Sequence, residues 1–248
     1  MTRLSTILSA AGALALTWSS AASAQSISDR AWLLPDAQLV LDPYEANSIN
    51  WNQLAQDKAV KAVLHRAYHG RSKDAKFEER TAEAKRRGYS VGLYLLGKPG
   101  DPIAQADLLV AAGERSGVKL LALDIENMNP ASSMTLADAE RFINRVHEKT
   151  GRYPLFYTNF STYRHISANY GASSAFAKTR LWIARFRERH GLDSKRVWPD
   201  YTLWQFQSEI NCAGTQNCYH RVPGTRPDMD VNVFRGNEAE LRAFFDGR

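Results

Sequence analysis

An α/β fold with mainly parallel strands, closing as an irregular TIM-barrel-like β/α barrel, is the architecture this chain predicts. Three observations carry that reading. Short apolar runs alternate with helix-like segments, the pattern of a parallel sheet with crossover helices. Eight such runs can be counted, the number that closes a barrel of this type. Polar residues gather at or near the ends of the runs, where such a barrel keeps its chemistry. Helical segments thin out after Tyr163, so irregularity is expected on the C-terminal side.

The predicted strands are Gln38–Asp42, Ala62–Tyr68, Ser90–Leu95, Val118–Glu126, Pro154–Thr158, Arg180–Ala184, Thr202–Phe206 and Met229–Val233. Of these, Val118–Glu126 is the most apolar. Between them the pattern predicts helices over Ile49–Lys58, over Phe77–Arg87 with Gly88 closing it, and from Asp101 to about Ser116. Asp101 suits the N-cap of that last helix and Pro102 its first turn. Thr135–Lys149 opens with a capping pattern, Thr135-Leu-Ala-Asp138, and Glu238–Phe245 forms a final helix. No internal repeat or low-complexity linker interrupts the series.

With 248 residues, 44% of them hydrophobic and 23% charged, the chain is long enough to bury a sizeable core as one domain. Residues 38–248 are assigned to that domain and 25–37 to a short lead. Residues 1–24 read as a secretory signal. Arg3 supplies the positive start, Ile7–Trp18 the apolar run, and Ala22-Ser23-Ala24 a small-residue cleavage site, with cleavage expected after Ala24. The run is short for a bilayer span, no Cys follows it to carry a lipid, and no later segment is apolar enough to cross a membrane. A secreted or periplasmic protein with no stable membrane association is expected. The net charge is +6, or +5 once Arg3 leaves with the signal. A basic surface favours polyanions, and export argues against nucleic acid as the partner.

Only two cysteines are present, Cys212 and Cys218, in a polar stretch. In an oxidising compartment they read as one small disulfide loop, the alternative being two free thiols. A zinc site would need two more convergent ligands, and only His220 is near.

The sharpest chemical signal is Asp124-Ile125-Glu126 at the end of the most apolar strand. Alternation puts Asp124 and Glu126 on one face, with Cα atoms about 6.5–7 Å apart. Two carboxylates that close raise one pKa, which suits a general acid beside a partner that stays ionised. Glycosidic bond cleavage needs that division of labour. The bland alternative is an acidic strand exit that caps the next segment. Asp42, Arg66, Tyr68, Tyr94, Tyr157, Arg185, Gln205 and Asp230 fall at comparable positions on other strands. Tyr44, Trp51, Trp182 and Trp204 add aromatic rings of the kind that stack on sugars, although Trp51 is better explained by core packing.

Two other features weigh less. His65 and His69 have the spacing of a helical zinc pair, but they lie on a strand and its exit, and no metalloprotease Glu accompanies them. Lys85-Arg86-Arg87 reads as the solvated end of a helix, where cations offset the dipole. No metal site is expected.

Taken in order, Asp42, Ile49-Asn-Trp51, Leu123-Asp-Ile-Glu126, Tyr157-Thr158, Leu181-Trp-Ile-Ala184, Trp204-Gln-Phe206 and Asp230-Val-Asn232 resemble the landmarks of glycoside hydrolase family 25. Gly92-Leu-Tyr94 and Asp101–Asp107 fit its third strand and following helix. The similarity covers roughly residues 38 to 240. It implies a flattened, irregular β/α barrel that cleaves the β-1,4 bond between N-acetylmuramic acid and N-acetylglucosamine in peptidoglycan. It further implies Glu126 as the general acid and Asp124 as its partner at the substrate's 2-acetamido group. Asp42 and Asp230 become the two outer carboxylates. Tyr94, Tyr157, Tyr68, Arg66, Trp182, Trp204 and Gln205 become candidate substrate contacts. No metal or organic cofactor is implied, peptidoglycan strands are the expected partner, and a monomer is expected.

The chain departs from the family pattern along the groove walls. Asp42 is followed by Pro43-Tyr44 rather than by x-Ser, the second strand exits through Tyr68-His69-Gly70 without an acid, and the third carries Tyr94-Leu95-Leu96. These changes leave two alternatives beside the muramidase: a wall-glycan-binding protein of the same fold with impaired turnover, and a hydrolase of another N-acetylated glycan such as chitin.

Overall fold

The computed structural model describes residues 29–212 and 218–248. The expected signal segment and its cleavage site lie outside them. Among the described residues one sheet is built from β1 (Gln38–Leu41), β2 (Val60–His69), β3 (Ser72–Lys73), β4 (Ser90–Leu96), β5 (Leu120–Ile125), β6 (Leu155–Asn159), β7 (Arg180–Ala184), β8 (Tyr201–Gln207) and β9 (Val231–Phe234). Its order is β1-β9-β8-β7-β6-β5-β4-β2-β3, and a further β1–β2 pairing closes the barrel. Neighbours from β1 through β8 run parallel, apart from the hairpin arm β3. The closing strand β9 is antiparallel to both β1 and β8. The predicted eight-run barrel of mainly parallel strands is therefore the observed one.

Strand alternation divides the apolar side chains into two layers. Val40, Ala62, Leu64, Ala122, Leu155 and Leu203 fill the barrel interior. Their strand neighbours Leu39, Val63, Leu121, Leu123 and Phe156 face outward into the layer beneath the helices. These strands are buried on both faces, which is why they read as continuous apolar runs.

The covering helices are α1 (Trp51–Leu54), α2 (Phe77–Arg86), α3 (Pro102–Ser116), α4 (Leu136–Thr150), α5 (Phe160–Asn169), α6 (Ala175–Lys178), α7 (Glu209–Cys212) and α8 (Glu238–Phe245). The side chain of Asp101 accepts from the Ile103 N–H at the start of α3, and that of Thr135 accepts from Asp138 N–H at the start of α4. Both caps satisfy amides that the helix itself leaves unpaired. The helix expected over Ile49–Lys58 is confined to α1. Asn50 caps it, but Asp57 Oδ1 accepts from the Ala59 N–H and turns the chain into β2. The sequence pattern did not indicate α5. Its signal was Asn159, whose side chain caps Thr162 N–H, with Tyr163 and Ile166 buried behind it.

The expected irregularity lies between β7 and β8, where residues 185–200 contain no helix. The lead covers part of this side. Trp32 stacks on Phe206 at 4.4 Å and on Tyr219 at 5.0 Å between centroids, with Trp204 edge-on at 5.2 Å. Cys212, at the end of α7, is disulfide-bonded to Cys218.

Candidate active site

Because β1 to β8 run parallel, their C-terminal ends open on one face, and the side chains there share one mouth. A cleft of about 450 Å³ occupies it, lined among others by Tyr44, Glu126, Tyr157, Gln205, Asp228 and Asp230. Glu126 directly follows β5 and is exposed to the cleft, whereas Asp124 is 5% exposed beneath it. Asp230 reaches the same mouth from the opposite direction. It precedes β9, whose N-terminal end lies at the mouth because that strand is antiparallel.

A hydrogen-bonded chain ties the inner groups together. Tyr157 Oη donates to Gln205 Oε1 at 2.8 Å, and Gln205 Nε2 donates to Asp42 Oδ2 at 2.8 Å. The other Asp42 oxygen accepts from Asn232 Nδ2, which also donates to the Val40 carbonyl at 2.9 Å. Trp182 Nε1 in turn donates to Asn232 Oδ1 at 2.6 Å. Asp42 is thus held from two sides by buried amides, which fixes its orientation. Asn159 Nδ2 donates to the backbone carbonyl of Glu126 and pins the exit of β5.

The candidates divide into three groups. Glu126, Tyr157, Gln205 and Asp230 line the cleft. Asp42, Asp124, Tyr94 and Trp182 support it from below; Trp182 is 1% exposed and takes the rings of Tyr94 and Tyr157 edge-on at 5.8 and 4.6 Å. Arg66 stands at the wall, 4.6 Å from the Tyr44 ring centroid, with Asp74 and Glu45 carboxylates 3.3 and 3.9 Å away.

Tyr68 and Trp204 correct the expectation, since both face away from the cleft. A register shift between Arg66 and Tyr68 breaks the alternation of β2, so Tyr68 turns outward onto Phe77 of α2, 6.2 Å between centroids. Gln205 takes the inward position on β8, which sends Trp204 outward under the lead, where its Nε1 donates to the Arg185 carbonyl at 2.8 Å.

Sequence reasoning passed over two contributors. Asn232 shares a face with Asp230 by the two-residue period, a signal present in Asp230-Val-Asn232. Arg80 is 8% exposed and donates to the carbonyls of Tyr44 at 2.8 Å and Asn47 at 2.6 Å, bracing the β1 exit loop. Its acceptors lie more than thirty residues away on backbone that nothing in the local sequence marks. His65 is fully buried, with Nδ1 2.8 Å from the Arg66 carbonyl and Nε2 3.4 Å from Arg80. Its ring is committed to this brace.

All four carboxyls are pushed above the ordinary range. Burial is the largest cause for Asp42 and Asp124, followed by neighbouring carboxylates: Asp230 acts on Asp42, and Glu126, Asp42 and Asp230 act on Asp124. Burial also raises Asp230, with Glu126 next. Glu126 is raised by the protein that surrounds it in the cleft, against the pull of Lys98 and Arg66. This revises the expected division between a protonated Glu126 and an ionised Asp124. Asp124 is the more deeply buried of the two, and its Oδ1 has no hydrogen-bond partner among the described residues. Burial without a donor favours its neutral form.

A β/α barrel whose mouth collects proton-holding carboxyls beside an aromatic-walled groove defines the glycoside hydrolase class of site. The chain belongs to glycosyl hydrolases family 25, whose model matches residues 42–215. An N,O-diacetylmuramidase from Chalaropsis sp is 31% identical over 140 residues, spanning 51% of this chain and 65% of that relative. The chain therefore matches slightly less than two-thirds of that relative's length. A bacterial lysozyme from Streptomyces coelicolor superposes with TM-score 0.69 at 23% identity, covering 86% of this chain and 99% of that one. A muramidase from Trichobolus zukalii gives 0.66 at 23% identity, covering 86% and 100%. At these identities the two structures establish the fold.

Proposed function

We propose that this chain is an exported muramidase that hydrolyses the β-1,4 bond between N-acetylmuramic acid and N-acetylglucosamine in peptidoglycan. The observation that carries the reading is the pair Asp124 and Glu126, one buried and one open to the cleft, at the end of a single strand. Family membership supports the reaction class, and the diacetylmuramidase relative supports a muramic-acid glycan as substrate. Residues 1–24 would direct export.

In this mechanism Glu126, raised and open to substrate, donates its proton to the glycosidic oxygen as the bond breaks. Asp124 lies below and faces the 2-acetamido group of the sugar that becomes positively charged. A developing positive charge favours the ionised form of a neighbouring carboxyl, so Asp124 passes its proton to water in the cleft as the transition state forms and stabilises that charge as the carboxylate. A water then adds to the sugar cation and gives its proton to the Glu126 carboxylate, which restores the acid and completes the hydrolysis. Asp230 lines the outer groove, Asp42 braces the site from below, and Tyr157 offers an aromatic wall for the sugar ring. Reducing-end release from purified peptidoglycan, beside chitin and a no-enzyme control, tests the proposal. Release from peptidoglycan alone is expected. Release from chitin alone would reassign the substrate, and none from either with retained wall binding would make this a binding protein.

A further inference from the structure

A second cleft, of about 240 Å³, lies at the opposite end of the barrel. The starts of β5, β6 and β7 line it at Leu120, Leu155 and Arg180, together with the C-terminal turns of α4 and α6 and the end of α8. Strand rise separates it from the mouth by about 13–20 Å. It takes no part in the carboxyl network.

Its charge is of one sign. Lys119, Arg152, Lys178 and Arg180 line it, all exposed, with Arg248, which pairs with Asp246 at 2.8 Å, at its edge, and no Asp or Glu lines it. Among the described residues none of the first four is in an ion pair. Two aromatic rings stand among the cations. Lys178 Nζ lies 5.7 Å from the Tyr153 ring centroid, and the Arg180 guanidinium 5.2 Å from that of Phe244. The Arg152 side chain lies against Gly247, where an added Cβ would fall 3.0 Å from its Nε.

Cations gathered in a cleft with aromatic residues and no Asp or Glu in its lining suit one chemistry, a glycan unit that carries an anionic group. The volume fits one or two rings rather than a long oligosaccharide. We propose that this cleft is a second glycan-binding site, which holds an N-acetylmuramic acid unit of a neighbouring peptidoglycan strand through the carboxylates of its stem peptide while the mouth works on its own strand. The choice of wall glycan as occupant rests on the muramidase reading. The single charge sign and the aromatic walls are independent of it. Such a site anchors the enzyme on an insoluble mesh, a task the catalytic groove cannot do while it turns over.

The test pairs two assays on Lys178→Ala/Arg180→Ala. A charge-matched control, Arg164→Ala/Lys195→Ala, removes two exposed cations elsewhere on the barrel. Co-sedimentation with insoluble peptidoglycan should be roughly five- to tenfold weaker for the cleft variant and near wild type for the control. Binding to uncharged chitin should be equal in all three. Hydrolysis of short soluble peptidoglycan fragments should stay within about twofold of wild type, because the mouth is untouched. Wild-type sedimentation by the cleft variant would overturn the site, as would an equal loss in the control, which would mean general attraction between a basic protein and an acidic polymer. Failure of wild type to hydrolyse the soluble fragments would instead strike the muramidase reading, while the sedimentation comparison would still decide the cleft.

Discussion

Gln205 Nε2 donates to Asp42 Oδ2 at 2.8 Å, joining β8 to the exit of β1 across the antiparallel strand between them. The two residues are 163 positions apart in the chain. Gln205 is satisfied on its other side by the Tyr157 hydroxyl, so only an amide, with one donor and one acceptor end, fits between a phenol and a carboxyl. Gln205→Glu puts an acceptor where a donor is needed and adds a like charge. A stability loss of about 1–3 kcal/mol is expected in urea unfolding, with at least a tenfold fall in kcat/KM on the order of one lost charge-assisted hydrogen bond. Tyr68→Phe, by contrast, should leave KM unchanged, since that ring packs on Phe77. A raised KM in the Tyr68 variant would return that residue to the groove.

Glu126→Gln keeps size and hydrogen bonding but removes the transferable proton. Activity on peptidoglycan should fall by at least about a hundredfold, with the melting temperature nearly unchanged because the side chain is exposed. Cleavage at a near-normal rate would remove Glu126 from the acid role.

Asp124→Asn separates charge from shape. The rate should drop by roughly a hundredfold, if the carboxylate that forms in the transition state is what stabilises the sugar cation. The alkaline limb of the pH–rate profile should stay in place. Asp124 is buried with one oxygen unpartnered among the described residues while Glu126 is open to the cleft, so burial favours a neutral Asp124, which does not raise the pKa of Glu126. A limb displaced to lower pH would mean that Asp124 is ionised in the free enzyme.

The same substitution has a stability signature. A carboxyl whose pKa is raised on folding binds more protons folded than unfolded, so stability is lost as pH rises from the unfolded value through the folded one. Asp124 is such a group. The melting temperature of Asp124→Asn should equal that of wild type near pH 4 and exceed it increasingly toward pH 8, each pKa unit being worth about 1.4 kcal/mol. Comparing the two proteins at each pH cancels the opposing contribution of His65, whose pKa burial lowers to about 4. A difference that is flat with pH would falsify the raised pKa.

Cys212 and Cys218 close a short loop, a separation of six residues, directly after the α7 segment whose Glu209 and Ile210 edge the cleft. Replacing both with Ser should cost about 2 kcal/mol, at the low end for a disulfide. Intact mass of the unreduced protein should be two hydrogens below that of the dithiol. Two alkylatable thiols under oxidising conditions would contradict the bond.

The strand series, the barrel and the carboxyl positions were legible in the sequence, because strands buried on both faces must be apolar throughout and an acid at their ends stands out. The shared face of Asp124 and Glu126 followed from the two-residue period alone; the same period puts Asn232 beside Asp230, a signal that went unused. Local pattern could not reach the facing of Tyr68 or Trp204, since a single register shift in β2 reverses the first and the inward claim of Gln205 decides the second. Nor could it reach the role of Arg80, whose acceptors are backbone carbonyls on another element. Protonation was decided by the tertiary structure as well. The strand-end pattern places four acids near one another, but how far each is buried, and which neighbours donate to it, sets how firmly each holds its proton.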